Sequence, residues 1–177
     1  MFIIGSVFHM VDYPIAFDFL FLSFQVRRRL WEPTGGDSMA TFISDRPIRV
    51  GIVDENDRFR CILHTSLDLL PNLRVVAESK NGAEAIAMVE SIHPDIVLMD
   101  IDMPVMDGIE ATRIINSKFT DTKVIILTLN SDQTVSDTAL QAGACKLLNK
   151  YCGQEKLFQS IKECSPGPLR VVGNPPH

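Results

Sequence analysis

The 177-residue chain is defined first by what it has little of. It carries 17 Lys+Arg against 22 Asp+Glu, a net charge of −5, so it lacks the basic excess that a nucleic-acid-binding surface requires. Its four cysteines (Cys61, Cys145, Cys152, Cys164) form no C-x-x-C pair and no zinc-type spacing with the four histidines. Reduced thiols in a cytoplasmic protein are the expected state. No internal repeat occurs, and neither standard type of Gly-rich phosphate loop is present. No uninterrupted apolar run reaches the ~18 residues of a membrane-spanning helix. His64 and His93 stand alone in the sequence and read as structural or surface residues.

What aromatic content there is clusters at the start. Residues 1–38 hold six of the ten phenylalanines and the only tryptophan, Trp31. Asp12, Pro14 and Asp18 interrupt this apolar stretch, and Arg27, Arg28 and Arg29 follow it. A secretory signal carries its charge first, so that reading fails. Membrane insertion is not expected, and the favoured account places the true start at Met39. Residues 1–45 are accordingly expected to stand as an extension outside the fold. Residues 165–177 (SPGPLRVVGNPPH) contain four of the ten prolines and read as a tail.

Between these ends the pattern alternates. I-R-V-G-I-V (48–53), R-V-V-A-E-S (74–79), residues 95–99, K-V-I-I-L (123–127) and K-L-L (146–148) read as short strands. Helical stretches separate and follow them, at 58–70, 81–92, 108–118, 133–142 and 154–163. Asn81 with Glu84, and Asp107 with Glu110, have capping-box spacing, and Gly143 reads as a helix stop. Five strand–helix units with near-continuously apolar strands predict a doubly wound α/β fold around a parallel sheet. Ligands of such sheets sit outside the carboxyl ends of the strands. Asp54, Glu55, Asp100, Thr128 and Lys150 all follow strand ends and should share one mouth.

Clustered carboxylates repel: two charges about 4 Å apart cost about 4 kcal/mol at an effective dielectric of 20. A proton or a cation must relieve that repulsion. Hard oxygen ligands with open positions suit Mg²⁺. A carboxylate nucleophile, a divalent metal, an ammonium and a hydroxyl are the parts needed for phosphoryl transfer to an aspartate.

In order along the chain, I-V-D-E (52–55), L-M-D-I-D-M-P-V-M-D-G (98–108), L-T (127–128), G-A (143–144) and Lys150 resemble the receiver domain of two-component response regulators. The resemblance covers residues 46–164. Thr128 follows Asp100 by 28 residues and Lys150 follows Thr128 by 22, similar to receivers of helix-turn-helix regulators. It implies a flavodoxin-like (βα)5 fold with strand order 2-1-3-4-5. Asp100 would be the phosphoacceptor, with Thr128 and Lys150 contacting the phosphoryl group. Asp54, Glu55, Asp100 and the backbone carbonyl of Asp102 would hold Mg²⁺. The side chains of Asp102 and Asn130 would modulate hydrolysis. A sensor histidine kinase would be the phosphodonor and a downstream protein the target, with no direct nucleic-acid binding, and the chain would catalyse only its own phosphorylation and dephosphorylation.

The sequence departs from that family at three points. Leu147 stands where an aromatic residue normally takes part in the switch, and Tyr151 stands where Pro or Asp is common. The usual output domain does not follow, so a stand-alone receiver or a shortened regulator is expected. D-I-D (100–102) also mimics the nucleophile motif of haloacid-dehalogenase-type phosphatases. That family, however, places its motif on the first strand and needs a later acidic pair. A degenerate receiver used only for docking is the third reading, against which the complete Asp/Asp-Glu/Thr/Lys set argues.

Overall fold

A computed structural model of the protein describes residues 46–165 apart from Pro71 and Ser131. The expectations for residues 1–45 and for the tail beyond Ser165 therefore lie outside the described residues. In chain order the elements are β1 (Ile48–Val53), α1 (Asp57–Asp68), β2 (Leu73–Ser79), α2 (Gly82–Ile92) and β3 (Ile96–Asp100). They continue with α3 (Gly108–Lys118), β4 (Lys123–Thr128), α4 (Gln133–Gln141), β5 (Lys146–Asn149) and α5 (Gln154–Cys164).

The five strands form one parallel sheet in the order β2-β1-β3-β4-β5, as expected. Period-two alternation along the strands divides the core in two. Val50, Ile52, Ile96, Leu98, Ile125, Leu127 and Leu148 pack with α1 and α5 through Leu63, Leu67, Leu157 and Ile161. Val53, Val97, Met99, Val124 and Ile126 pack on the other face with α2, α3 and α4 through Ala85, Val89, Ala111, Ile115 and Ala139. Both faces are covered, which is why the central strands β3 and β4 read as unbroken apolar runs.

Local signals set the helix starts. The Asn81 side chain accepts the Glu84 N–H at 2.9 Å and the Asp107 side chain accepts the Glu110 N–H at 2.8 Å. Asn56 caps α1 in the same way, through the N–H groups of Arg58 and Phe59. Gly108 has a further reason to be glycine: a Cβ there would collide with the carbonyl oxygen of Asp100. The first turn of α3 thus rests directly on the end of β3.

One expectation is overturned. Cys145 and Cys164 are joined by a disulfide, with Cα atoms 6.1 Å apart, and only Cys61 and Cys152 are free. The helix α5 runs back along the sheet, so its last residue returns to the residue preceding β5. Lys146 and Glu163 form an ion pair immediately beside this bridge. No spacing rule exposes a pair made by this return of the chain.

Candidate functional site

The order of strands reverses between β1 and β3, the position where open α/β sheets bind ligands. Val53 pairs with Met99, so the chain delivers Asp54 and Asp100 side by side as the two strands end. Thr128 pairs with Asn149, which places Thr128 and Lys150 at the adjoining strand ends. The Lys150 N–H donates to the Thr128 carbonyl at 2.9 Å, locking that edge.

Three side chains meet at this mouth. Lys150 Nζ lies 2.7 Å from Asp54 Oδ2 and 2.8 Å from Asp100 Oδ2. Asp54 is 2% exposed and Asp100 is 5% exposed, so the ammonium is shared by two buried carboxylates. Their other oxygens are also engaged. Asp54 Oδ1 accepts the Asn56 N–H and Asp100 Oδ1 accepts the Ile101 N–H, each at 2.8 Å. Burial pushes the Asp100 carboxyl above its ordinary range, against the pull of Lys150, and the charge of Asp54 adds to the rise. Burial disfavours the Lys150 ammonium too, but there the hydrogen bonds and charges of Asp100 and Asp54 win and hold it above its usual value. The lysine is the cation in this arrangement.

The remaining expected residues differ in depth. Thr128 is buried, and its Oγ1 accepts the Asn130 N–H at 3.2 Å. Glu55, Asp102 and Asn130 are exposed. Leu147 is half-buried and packs on the α2–α4 face of the core instead of into the mouth. Among the described residues no three His, Cys, Asp or Glu side chains are close enough to hold a metal. The structure therefore gathers Asp54, Asp100 and Lys150, with Thr128 alongside, and does not bring Glu55 into the same cluster. Two convergent carboxylate oxygens still suit Mg²⁺, which is commonly held by one or two carboxylates plus waters and substrate phosphate.

Several contacts around the mouth were not read from the sequence. The Phe59 ring lies under the Lys150 ammonium, 4.8 Å from Nζ to the ring centroid. Arg60, buried at the start of α1, donates to the Asp54 carbonyl at 2.6 Å and to Glu78 at 3.2 Å, and pairs with Asp57. His64, read as a structural or surface residue without a partnering pattern, meets Glu78 at 2.6 Å and Asp68 at 3.2 Å. Of these, only the i,i+3 spacing of Asp57 and Arg60 and the i,i+4 spacing of His64 and Asp68 were sequence signals.

Comparison with known proteins agrees with this geometry. The family model of the response regulator receiver domain matches residues 50–162. The transcriptional regulatory protein DegU of Brevibacillus brevis is 32% identical over 125 residues, covering 71% of this chain and 53% of DegU. The chain thus spans about half the length of the curated relatives it matches. Among solved structures, the receiver domain of the response regulator NarL from Mycobacterium tuberculosis superposes with a TM-score of 0.65 at 28% identity. That match covers 67% of this chain and 96% of the NarL domain. The CheX–CheY–BeF3–Mg²⁺ complex from Borrelia burgdorferi matches with a TM-score of 0.61 at 25% identity, over 67% of this chain and 89% of that one.

Proposed function

The chain belongs to the response regulator receiver family of two-component systems, and from that premise we propose that Asp100 is a phosphoacceptor charged by a sensor histidine kinase. The observation that carries this reading is the shared ammonium: Lys150 draws Asp54 and Asp100 together in a buried mouth at the switch point of the sheet. A carboxylate oxygen of Asp100 attacks phosphorus, a P–O bond forms, and the P–N bond of the donor phosphohistidine breaks. The electron pair leaves on the imidazole nitrogen, which then takes a proton.

Each neighbour has a task in that step. Lys150 moves its charge from carboxylate to the transferred phosphoryl group, compensating negative charge where it develops. Thr128 has used its oxygen as an acceptor from Asn130, which leaves the hydroxyl hydrogen for a phosphoryl oxygen. Asp54, Asp100 and the backbone carbonyl of Asp102 would hold Mg²⁺, with Glu55 adding negative charge at the rim. Bound there, the ion would neutralise phosphoryl oxygens. The Mg²⁺ and BeF3 named with the related CheY support this assignment. Asp102 and Asn130, both exposed, would tune hydrolysis. Leu147 takes the place of an aromatic switch residue.

The consequence of charging would be a change of the surface around β4–α4 and β5, read by a downstream protein. The chain's own chemistry ends with its self-labelling and hydrolysis. No helix among the described residues is long and apolar enough to cross a membrane. From the family's kinase partnership we place the domain in the cytoplasm, where its donor would present phosphohistidine and where a disulfide such as Cys145–Cys164 is uncommon. The D-I-D motif does not favour a haloacid-dehalogenase-type phosphatase, because it lies at the end of the third strand.

The test is direct. With Mg²⁺ and acetyl phosphate, intact mass should show one added phosphoryl group, acid-stable and base-labile, and absent from Asp100→Asn. A label that persists in Asp100→Asn would move the acceptor elsewhere, and repeated turnover of a generic phosphomonoester would favour the phosphatase.

A further inference from the structure

The Lys150 ammonium meets two carboxylates and one aromatic ring. Both carboxylates belong to the group that would hold a metal. Were their oxygens to hold a divalent ion, the lysine would lose the contacts that now fix it. The face of Phe59 attracts the ammonium through the ring quadrupole, and a hard divalent ion that takes oxygen ligands would leave that partner to the lysine.

The ring is itself held in register with the site. Asp54 Oδ1 accepts the Asn56 N–H at 2.8 Å, and Asn56 in turn accepts the Phe59 N–H at 3.1 Å as the cap of α1. The Phe59 side chain is half-buried and packs on the core cluster that contains Leu63 and Leu157, with Cys152 also against it. The linkage runs from Asp54 through Asn56 to Phe59, across to Lys150, and back to Asp54. We infer that Phe59 is a positioning residue, whose ring keeps the Lys150 ammonium in the mouth while Asp54 and Asp100 are engaged by metal and phosphoryl group. This rests on the phosphoacceptor reading of Asp100 and extends it to a residue that touches none of the reacting atoms.

The variants that separate this role from packing are Phe59→Leu, which fills the space without a ring, and Phe59→Tyr, which restores the ring. In the metal-free full chain, the Lys150 ε-methylene resonances should be displaced upfield by the ring; the assignment follows from their loss in Lys150→Met. That displacement should vanish in Phe59→Leu and return in Phe59→Tyr. At saturating Mg²⁺ and acetyl phosphate, labelling of Asp100 should slow by about fivefold in Phe59→Leu and recover in Phe59→Tyr. No displacement in the wild type would overturn the placement of the ring. Equal labelling rates in wild type and Phe59→Leu would overturn the role of Phe59 while leaving Asp100 as acceptor. A wild type that takes no label at Asp100 would overturn the acceptor reading and this inference with it.

Discussion

The two ends of the sheet use the same kinds of residue to opposite effect. At the amino ends of the strands, Asp95 takes the Arg46 guanidinium on both oxygens at 2.9 Å and also accepts the Arg49 N–H at 2.8 Å. The Arg49 side chain caps α2 by donating to the carbonyls of Ile92 and His93, each at 2.7 Å. Thr122 donates to the Pro94 carbonyl at 2.7 Å. Charge there is spent on backbone that would otherwise be unsatisfied. At the carboxyl ends, Asp54, Asp100 and Lys150 hold one another, and the loops around them leave Val105, Leu129 and Tyr151 exposed. Val105 also sits at φ +70°, in the left-handed region that a β-branched residue rarely adopts. One end is finished and the other is held ready, since the Lys150 ammonium that Asp54 and Asp100 share is a partner that a metal or a phosphoryl group could displace.

The largest effect should come from Lys150→Met. It leaves two buried carboxylates facing each other with no cation, and breaking a buried ion pair from one side costs about 3 kcal/mol or more. In chelator at neutral pH the variant should melt roughly 10 °C below wild type, with Mg²⁺ recovering part of the loss. Equal melting temperatures would mean that the ammonium does not hold the mouth together. At the opposite end, Asp95→Ala should lower stability by about 2 kcal/mol, mainly because the Arg49 N–H loses its acceptor. Its labelling by acetyl phosphate should stay at the wild-type rate, and a slowed rate would show that the two ends are coupled. Val105→Gly should move stability the other way. Relief of the left-handed strain, about 1–2 kcal/mol, exceeds the entropy cost of the added glycine, so the melting temperature should rise by a few degrees. A fall would show that the loop gains more from the valine side chain than it loses in its backbone.

Much of this contrast was legible in the sequence, for reasons that are local. Strands with buried faces announce themselves by apolar runs, and the caps at Asn81 and Asp107 act over three residues. Asp54, Asp100, Thr128 and Lys150 were legible as a group because parallel strands deliver all their carboxyl ends to one side. What escaped depends on how elements lie on one another. Cys145 meets Cys164, His64 meets Glu78, and Lys150 meets Phe59 only after α1 and α5 have settled on the sheet. The repulsive cluster of Asp54, Glu55 and Asp100 was expected because all three follow strand ends. Burial divides them: Asp54 and Asp100 lie inside with Lys150 between them, and Glu55 is exposed. The D-G pair at 107–108 read as a cap and as the end of the 98–108 motif, whereas the close approach of α3 to the Asp100 carbonyl also demands the glycine.

The smallest expected effect is a pH dependence that belongs to neither end. His64, on the outer side of α1, faces Glu78 of β2 at 2.6 Å and Asp68 of its own helix at 3.2 Å, while Arg60 shares Glu78 from the preceding turn. The hydrogen bond to Glu78 raises the His64 pKa above 6.5, burial opposes the rise, and the charge of Asp68 supports it. The folded protein therefore binds the proton more tightly than the unfolded chain. Its contribution to stability is complete below pH 6.5 and is lost as pH rises through the higher folded value. With the side chain 40% exposed, solvent screens much of the interaction, so the effect should be modest. Melting curves of wild type and His64→Gln should differ most near pH 6 and converge at alkaline pH, with wild type the more stable at the acid end. Added salt should narrow the gap at pH 6. A difference that stays constant across the range would mean that His64 acts by packing and carries no charge-dependent share. Labelling of Asp100 should be the same in both forms at each pH. A divergence there would mean that the Arg60 link from Glu78 to the Asp54 carbonyl transmits the charge of His64 into the mouth.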